Sequence, residues 1–114
     1  MVRRGEIWWA DTGDNRGSEV SGHRPVLVIQ SNAINRSTFN TVVVVGITSN
    51  LKYADIPGNV YIESKEGVLP KDSVIVCANL AAIDRSRFIE KISDLPDLWM
   101  DQVEFGISVA LDLK

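Results

Sequence analysis

The sequence predicts an α+β domain: a small curled antiparallel sheet with one amphipathic helix packed on it at the C-terminus. Three observations predict it. Short apolar, β-branched runs alternate with Gly-, Pro- and Asn-bearing turns over most of the chain; apolar residues recur at three- and four-residue spacing only after residue 98; and the order is strands first, helix last. At 114 residues there is room for one domain, spanning 1–114, with no repeat, linker or low-complexity segment. A core of this size is modest, so functional residues are expected on surface loops or at a subunit interface.

The elements follow in order. Residues 6–10 read as a first strand, with Trp8 and Trp9 supplying strand propensity. Residues 11–23 (DTGDNRGSEVSGH) hold three glycines and no periodicity, a long loop for so small a domain. Residues 25–30 (PVLVIQ) form a second strand, with Pro25 at its start where no ladder donor is lost. Residues 31–40 are a turn or short helix. Residues 41–48 (TVVVVGIT) are the clearest strand: four consecutive valines imply burial on both faces, and Gly46 marks a bulge or a close backbone approach. A polar loop covers 49–57, and strands follow over 59–62 and 72–78, with 80–83 continuing the latter after a break at Asn79. Ser93 and Asp94 offer capping side chains, and Pro96 suits a first helical turn. Beyond them Trp99, Val103, Ile107 and Ala110 or Leu111 mark the apolar face of the helix. Gly106 in mid-helix costs ~1 kcal/mol relative to Ala, which points to close packing at that position.

Charge and cysteine content exclude several classes. The net charge is −3, against a uniformly basic nucleic-acid binder. The balance is uneven: residues 1–36 carry five bases and four acids, whereas residues 90–112 carry six acids and Lys91 alone. A polyanion would therefore bind locally, near the first loop. Cys77 is the single cysteine and lies in an apolar run, so no intrachain disulfide and no multi-cysteine metal site is possible, and a buried inert thiol is expected. With one His and one Cys no soft-ligand zinc site can form, and no metal or other cofactor is expected. No apolar run reaches the ~20 residues needed to span a bilayer, and the start of the chain lacks a signal-peptide pattern, so the expectation is a cytoplasmic protein without a membrane partner.

The residues with chemical potential cluster around the first loop. Arg24 stands at the mouth of the second strand, before Pro25, where its rigid donor fork can meet a phosphate. Thr48 ends the third strand. Antiparallel pairing of the two strands would bring the Arg24 end and the Thr48 end to one rim. Taken alone, an Arg beside Pro is usually a solvated rim residue, and a Thr at a strand end usually a turn hydroxyl.

The combination is more specific than its parts. Arg4-Gly5-Glu6-Ile7-Trp8-Trp9, Gly17-Ser18-Glu19, Gly22-His23-Arg24-Pro25-Val26-Leu27-Val28-Ile29, Gly46-Ile47-Thr48-Ser49 and Asp72-Ser73-Val74-Ile75 together resemble the MazF/PemK family of toxin endoribonucleases from type II toxin–antitoxin pairs, over nearly the whole length. The resemblance implies a partly opened, SH3-like β-barrel with a C-terminal amphipathic helix and a two-fold homodimer. It implies metal-free cleavage of single-stranded RNA at short motifs, restrained by a cognate MazE-like antitoxin. Arg24 and Thr48 match the family's catalytic positions. Gly17, Ser18 and Glu19 match the segment lining the RNA groove, Ser49 follows the catalytic hydroxyl residue, and Asn79 falls near a polar position that touches RNA in relatives.

The reaction so implied is attack of an RNA 2′-OH on the neighbouring phosphate, leaving 2′,3′-cyclic phosphate and 5′-OH ends. Arg24 would stabilise charge on the phosphoryl oxygens and Thr48 would donate a hydrogen bond. Glu19 is the base candidate by position. The runner-up is a non-catalytic, CcdB-like toxin that binds DNA gyrase through the C-terminal helix and does not need the Arg24/Thr48 pair. For the dimer, part of the apolar surface on Trp99, Val103 and Ile107, or on the strands beside the helix, is expected to serve an interface as well as the core. For the antitoxin, the expectation is an acidic, apolar tail laid across the RNA groove, against Arg24, Arg16, Arg36 and whichever of Trp8 and Trp9 faces outward.

Overall fold

Alternate valines of the third strand turn to opposite sides of the sheet, and each side has its own core. The computed structural model describes residues 1–13 and 23–113. The strands are β1 (Glu6–Asp11), β2 (His23–Val28), β3 (Thr41–Thr48), β4 (Val60–Ile62), β5 (Ser73–Asp84) and β6 (Phe88–Asp94). A single-turn helix α1 (Asn32–Asn35) joins β2 to β3, and the long helix α2 (Asp97–Leu111) follows β6. The described strands form one antiparallel sheet in the order β4-β5-β3-β2-β1-β6. β4 and β6 are its edges and do not pair with one another, so the barrel is partly open.

On one side Ile7, Leu27, Val45, Ile47, Ile75 and Cys77 pack with Met100 and Val103 of α2. On the other, Val26, Val28, Val42 and Val44 gather with Val2 and Ala10, and Trp8 and Phe88 close over them edge to face at 5.8 Å. This two-sided burial explains a near-continuous apolar run in an antiparallel strand, where one wet face would demand alternation.

Helix α2 sits close because Gly106 lacks a side chain. A Cβ there would overlap the Gly58 carbonyl oxygen and stand 2.8 Å from Cys77 Sγ. Gly58 has φ +91°, a conformation that favours glycine, so the contact takes a glycine from each side. Cys77 is fully buried, and burial pushes its thiol up to about 11, as an inert core thiol requires.

The structure departs from the sequence reading in several places. β6 was not expected: its register against β1 shifts twice, between Ile7 and Trp8 and between Trp9 and Ala10, which breaks the two-residue alternation that would betray it. Residues 72–78 and 80–83 are one strand, β5, continuous through a bulge at Asn79 rather than broken there. Ser93 and Asp94 do not cap α2. They belong to β6, where Ser93 donates to the Val68 carbonyl and Asp94 pairs with Lys91. Pro96 itself takes the N-cap position without a side-chain cap, and Asp97 complements the helix dipole. Val103 is fully buried, while Trp99 and Ile107 pack on the core and stay partly exposed. The exposed apolar side chains of α2 are Leu98, Phe105, Val109 and Leu111.

Candidate functional site

The β2–β3 register brings the two expected reactive positions together. Val26 faces Gly46, Leu27 faces Val45 and Val28 faces Val44. The ladder ends at Val26 and Gly46, so Arg24, two residues before Val26, and Thr48, two residues after Gly46, both lie just beyond the same end of it. Residues two apart on a strand share a face of the sheet, so both side chains lie on the side of Val26 and Val44, away from α2. The pairing Ala10↔Arg24 on one side and Thr48↔Val74↔Tyr61 on the other extends the row across the sheet.

Each member is positioned by local chemistry. Arg24 is half-buried, its backbone restricted by Pro25. The Thr48 hydroxyl oxygen accepts from the Asn50 N–H at 3.1 Å, which orients the hydroxyl and leaves its O–H to donate outward. Asn50 in turn accepts from the Lys52 N–H and caps a 3-10 turn over Leu51–Asp55, so the polar loop after Thr48 is structured. Ser49 is exposed beside it.

Asn79 joins the same face from β5. The bulge carries its amide over Gly46, where an added Cβ would stand 2.6 Å from Asn79 Nδ2. Gly46 lies between Val44 and Thr48 on the face that holds Arg24. Arg24, Thr48 and Asn79 therefore converge on one rim. Gly17, Ser18, Glu19 and Arg16 lie outside the described residues.

Two neighbours escaped the sequence reading. Arg87, just before Phe88 of β6, donates to the Asp11 carbonyl at 3.1 Å and brings a second guanidinium to the end of β1 where the loop begins. Arg36 was expected there instead. It forms the C-cap of α1, beyond the far end of β2. Tyr61, the exposed outer end of the row, offers an aromatic surface. Partial burial, then Asp72 and Glu63, raise its pKa and keep the phenol neutral. Neither tryptophan faces fully outward: both are half-buried, and Trp8 is committed to Phe88 and to a hydrogen bond with Glu6. Among the described residues no cluster of three or more His, Cys, Asp or Glu is placed to hold a metal ion, and no helix is long and apolar enough to cross a membrane.

Residues 3–111 match the family described as PemK-like, MazF-like toxin of type II toxin–antitoxin system. The chain belongs to that family. It is 37% identical, over 113 residues and 99% of both chains, to Endoribonuclease MazF2 of Mycobacterium bovis and to Endoribonuclease MazF6 of Mycobacterium tuberculosis. Its fold is similar to that of a mycobacterial endoribonuclease solved in complex with its cognate antitoxin, with TM-score 0.80 and 20% identity over 100% of this chain and 98% of that one. MazF of Deinococcus radiodurans is similar at TM-score 0.76 and 25% identity, over 97% and 96% of the two chains. In PemK/MazF terms, the SH3-like, partly opened barrel and the C-terminal helix are as the sequence led one to expect.

Proposed function

We propose that this PemK/MazF toxin is an endoribonuclease that cuts single-stranded RNA, messenger RNA foremost, at short motifs in the cytoplasm. The observation that supports the reading is the antiparallel β2–β3 pairing, whose last pair, Val26 and Gly46, leaves Arg24 and Thr48 at the same end of the two strands. A 2′-OH attacks the adjacent phosphate, the 5′-oxygen of the next nucleotide leaves, and a 2′,3′-cyclic phosphate and a 5′-OH end result. Negative charge grows on the non-bridging oxygens during this step. The planar Arg24 fork meets two of them, the Thr48 O–H donates to the same group, and no metal is required for either contact. Asn79 and Ser49 contact the nucleotides on either side, and Gly17, Ser18 and Glu19 extend the groove.

Electrostatics and positioning carry such a reaction. His23, the single histidine, faces Asp11 at the step next to Arg24; with no second histidine to complete an acid–base pair, a slow enzyme acting on transcripts is the expected outcome. The partners are single-stranded RNA, a second copy of the chain and a cognate antitoxin whose acidic, apolar tail covers the Arg24 rim and excludes RNA. The relatives named endoribonuclease, and a fold neighbour held by its antitoxin, support this reading over a gyrase-binding one. The test is to induce the protein and examine total RNA and DNA side by side, then sequence the 5′-OH ends. Transcripts cut at a recurring motif with intact DNA are expected; double-strand breaks with intact RNA would overturn the assignment in favour of a gyrase poison.

A further inference from the structure

Strand β5 does not run evenly against β3. Thr48, Ile47 and Gly46 pair with Val74, Ile75 and Val76, but the next residue of β3, Val45, pairs with Leu80. Cys77, Ala78 and Asn79 therefore face a single step of β3. A bulge this wide takes backbone groups out of the ladder, and each needs another partner.

The Cys77 N–H finds one in Asn59, donating to Oδ1 at 3.0 Å. The same side chain donates from Nδ2 to the Tyr53 carbonyl, also at 3.0 Å. The two partners fix the orientation of the amide, because an N–H on one side and a carbonyl on the other admit only one assignment. Tyr53 lies in the 3-10 turn that Asn50 caps directly after Thr48. One half-buried side chain thus ties together two segments: the bulge that carries Asn79 over Gly46, and the loop that leaves Thr48. Asn59 is anchored in its turn, since it lies between Gly58, which packs against Gly106, and Val60 in the core.

Resting on the reading of Arg24, Thr48 and Asn79 as the RNA site, we propose that Asn59 is a positioning residue: it sets the spacing between Asn79 and the loop after Thr48, and so selects the nucleotides that flank the cut. It touches no RNA. An asparagine suits the task because it offers an acceptor and a donor from one planar group; aspartate keeps only acceptors and alanine neither.

A double-mutant cycle on the purified full-length protein tests this, with an RNA made uncleavable by a 2′-deoxy sugar at the mapped cut. Asn59→Ala is expected to weaken RNA binding roughly tenfold and to spread cleavage to motifs that the unaltered protein leaves intact. In an Asn79→Ala background the same substitution should cost less than about twofold, because contacts that act through one another are not additive. Asn59→Asp keeps the tie to Cys77 and should give an intermediate loss; it stands in for the alanine variant if that one fails to fold. Equal losses in both backgrounds, with an unchanged cleavage motif, would show Asn59 to be merely structural and overturn the proposal. If Asn79→Ala binds RNA normally while Arg24→Ala no longer cleaves, the positioning proposal falls and the ribonuclease reading stands. If Arg24→Ala cleaves normally, the reading falls first and takes the proposal with it.

Discussion

The Asn79 amide occupies the space above Gly46 that a side chain at that position would fill, and Gly46 lies two residues from Thr48 on the same face. Because Asn79 is exposed and the group nearest the missing Cβ is the tip of its side chain, Gly46→Ala is expected to swing the amide aside at little cost. Stability measured by denaturant should change by no more than about 0.5 kcal/mol. RNA affinity should fall nonetheless, and by the same factor as in Asn79→Ala. A large loss of stability would show instead that the backbone, not Asn79, absorbs the strain.

Gly106→Ala is predicted to behave oppositely. The substitution gains ~1 kcal/mol of helix propensity, yet its methyl group would overlap the Gly58 carbonyl and crowd Cys77 Sγ. Backbone cannot rotate away as a side-chain tip can, so overpacking wins and the protein should lose about 1–3 kcal/mol net. Urea unfolding reads this directly; a stabilised variant would contradict the packing of α2 on the Gly58 turn.

Glu6 sets an acid limit to stability. Burial alone would raise its pKa, but hydrogen bonds from the Trp8 indole and the Arg3 N–H, together with Lys91 at 3.2 Å, outweigh it and hold the carboxylate below its ordinary value of 4.5. A depressed folded-state value means that the stability is fully present above 4.5 and is lost as pH falls through the lower value. Glu6→Gln keeps an oxygen for Trp8 and Arg3 but drops the charge facing Lys91. Its melting temperature should be lower at neutral pH and should fall less steeply in acid. A variant with an unchanged acid slope would show that other carboxylates carry the transition.

Much of this arrangement was legible in the residues. The bounds of β3 follow from its valine run, the close approach at Gly106 from a glycine in a helical pattern, and the shared rim of Arg24 and Thr48 from antiparallel pairing alone. Gly46 was readable as a bulge or a close backbone approach; it faces a bulge that lies in β5, and what comes close is the Asn79 side chain. The rest was hidden for physical reasons. β6 is an edge strand whose register shifts erase its alternation. Ser93 and Asp94 look like caps, but sheet pairing claims them first. Asn59 beside Gly58 has the look of an ordinary turn, and its role appears only when the chain folds Cys77 and Tyr53 onto either side of it. Arg87 is distant in sequence from the loop it adjoins.

The oligomeric state gives an independent check. A groove for several nucleotides needs more concave surface than one such chain offers, and Leu98 and Phe105 remain exposed on α2. Light scattering at micromolar concentration should return twice the chain mass of 12.6 kDa. A monomer would require the groove to be complete within one chain.

Digestion of a long transcript by purified protein, with a chelator present, tests the role of Arg24 most directly. The unaltered protein should cut the RNA and leave 5′-OH ends, while Arg24→Ala, still folded by circular dichroism, should lose about 100–1,000-fold in rate, the cost of removing one preorganised donor to a developing anion. Thr48→Ala should lose less. Cleavage by Arg24→Ala at the normal rate, or cleavage that stops when divalent metal is removed, would contradict the assignment of metal-free phosphate stabilisation to Arg24.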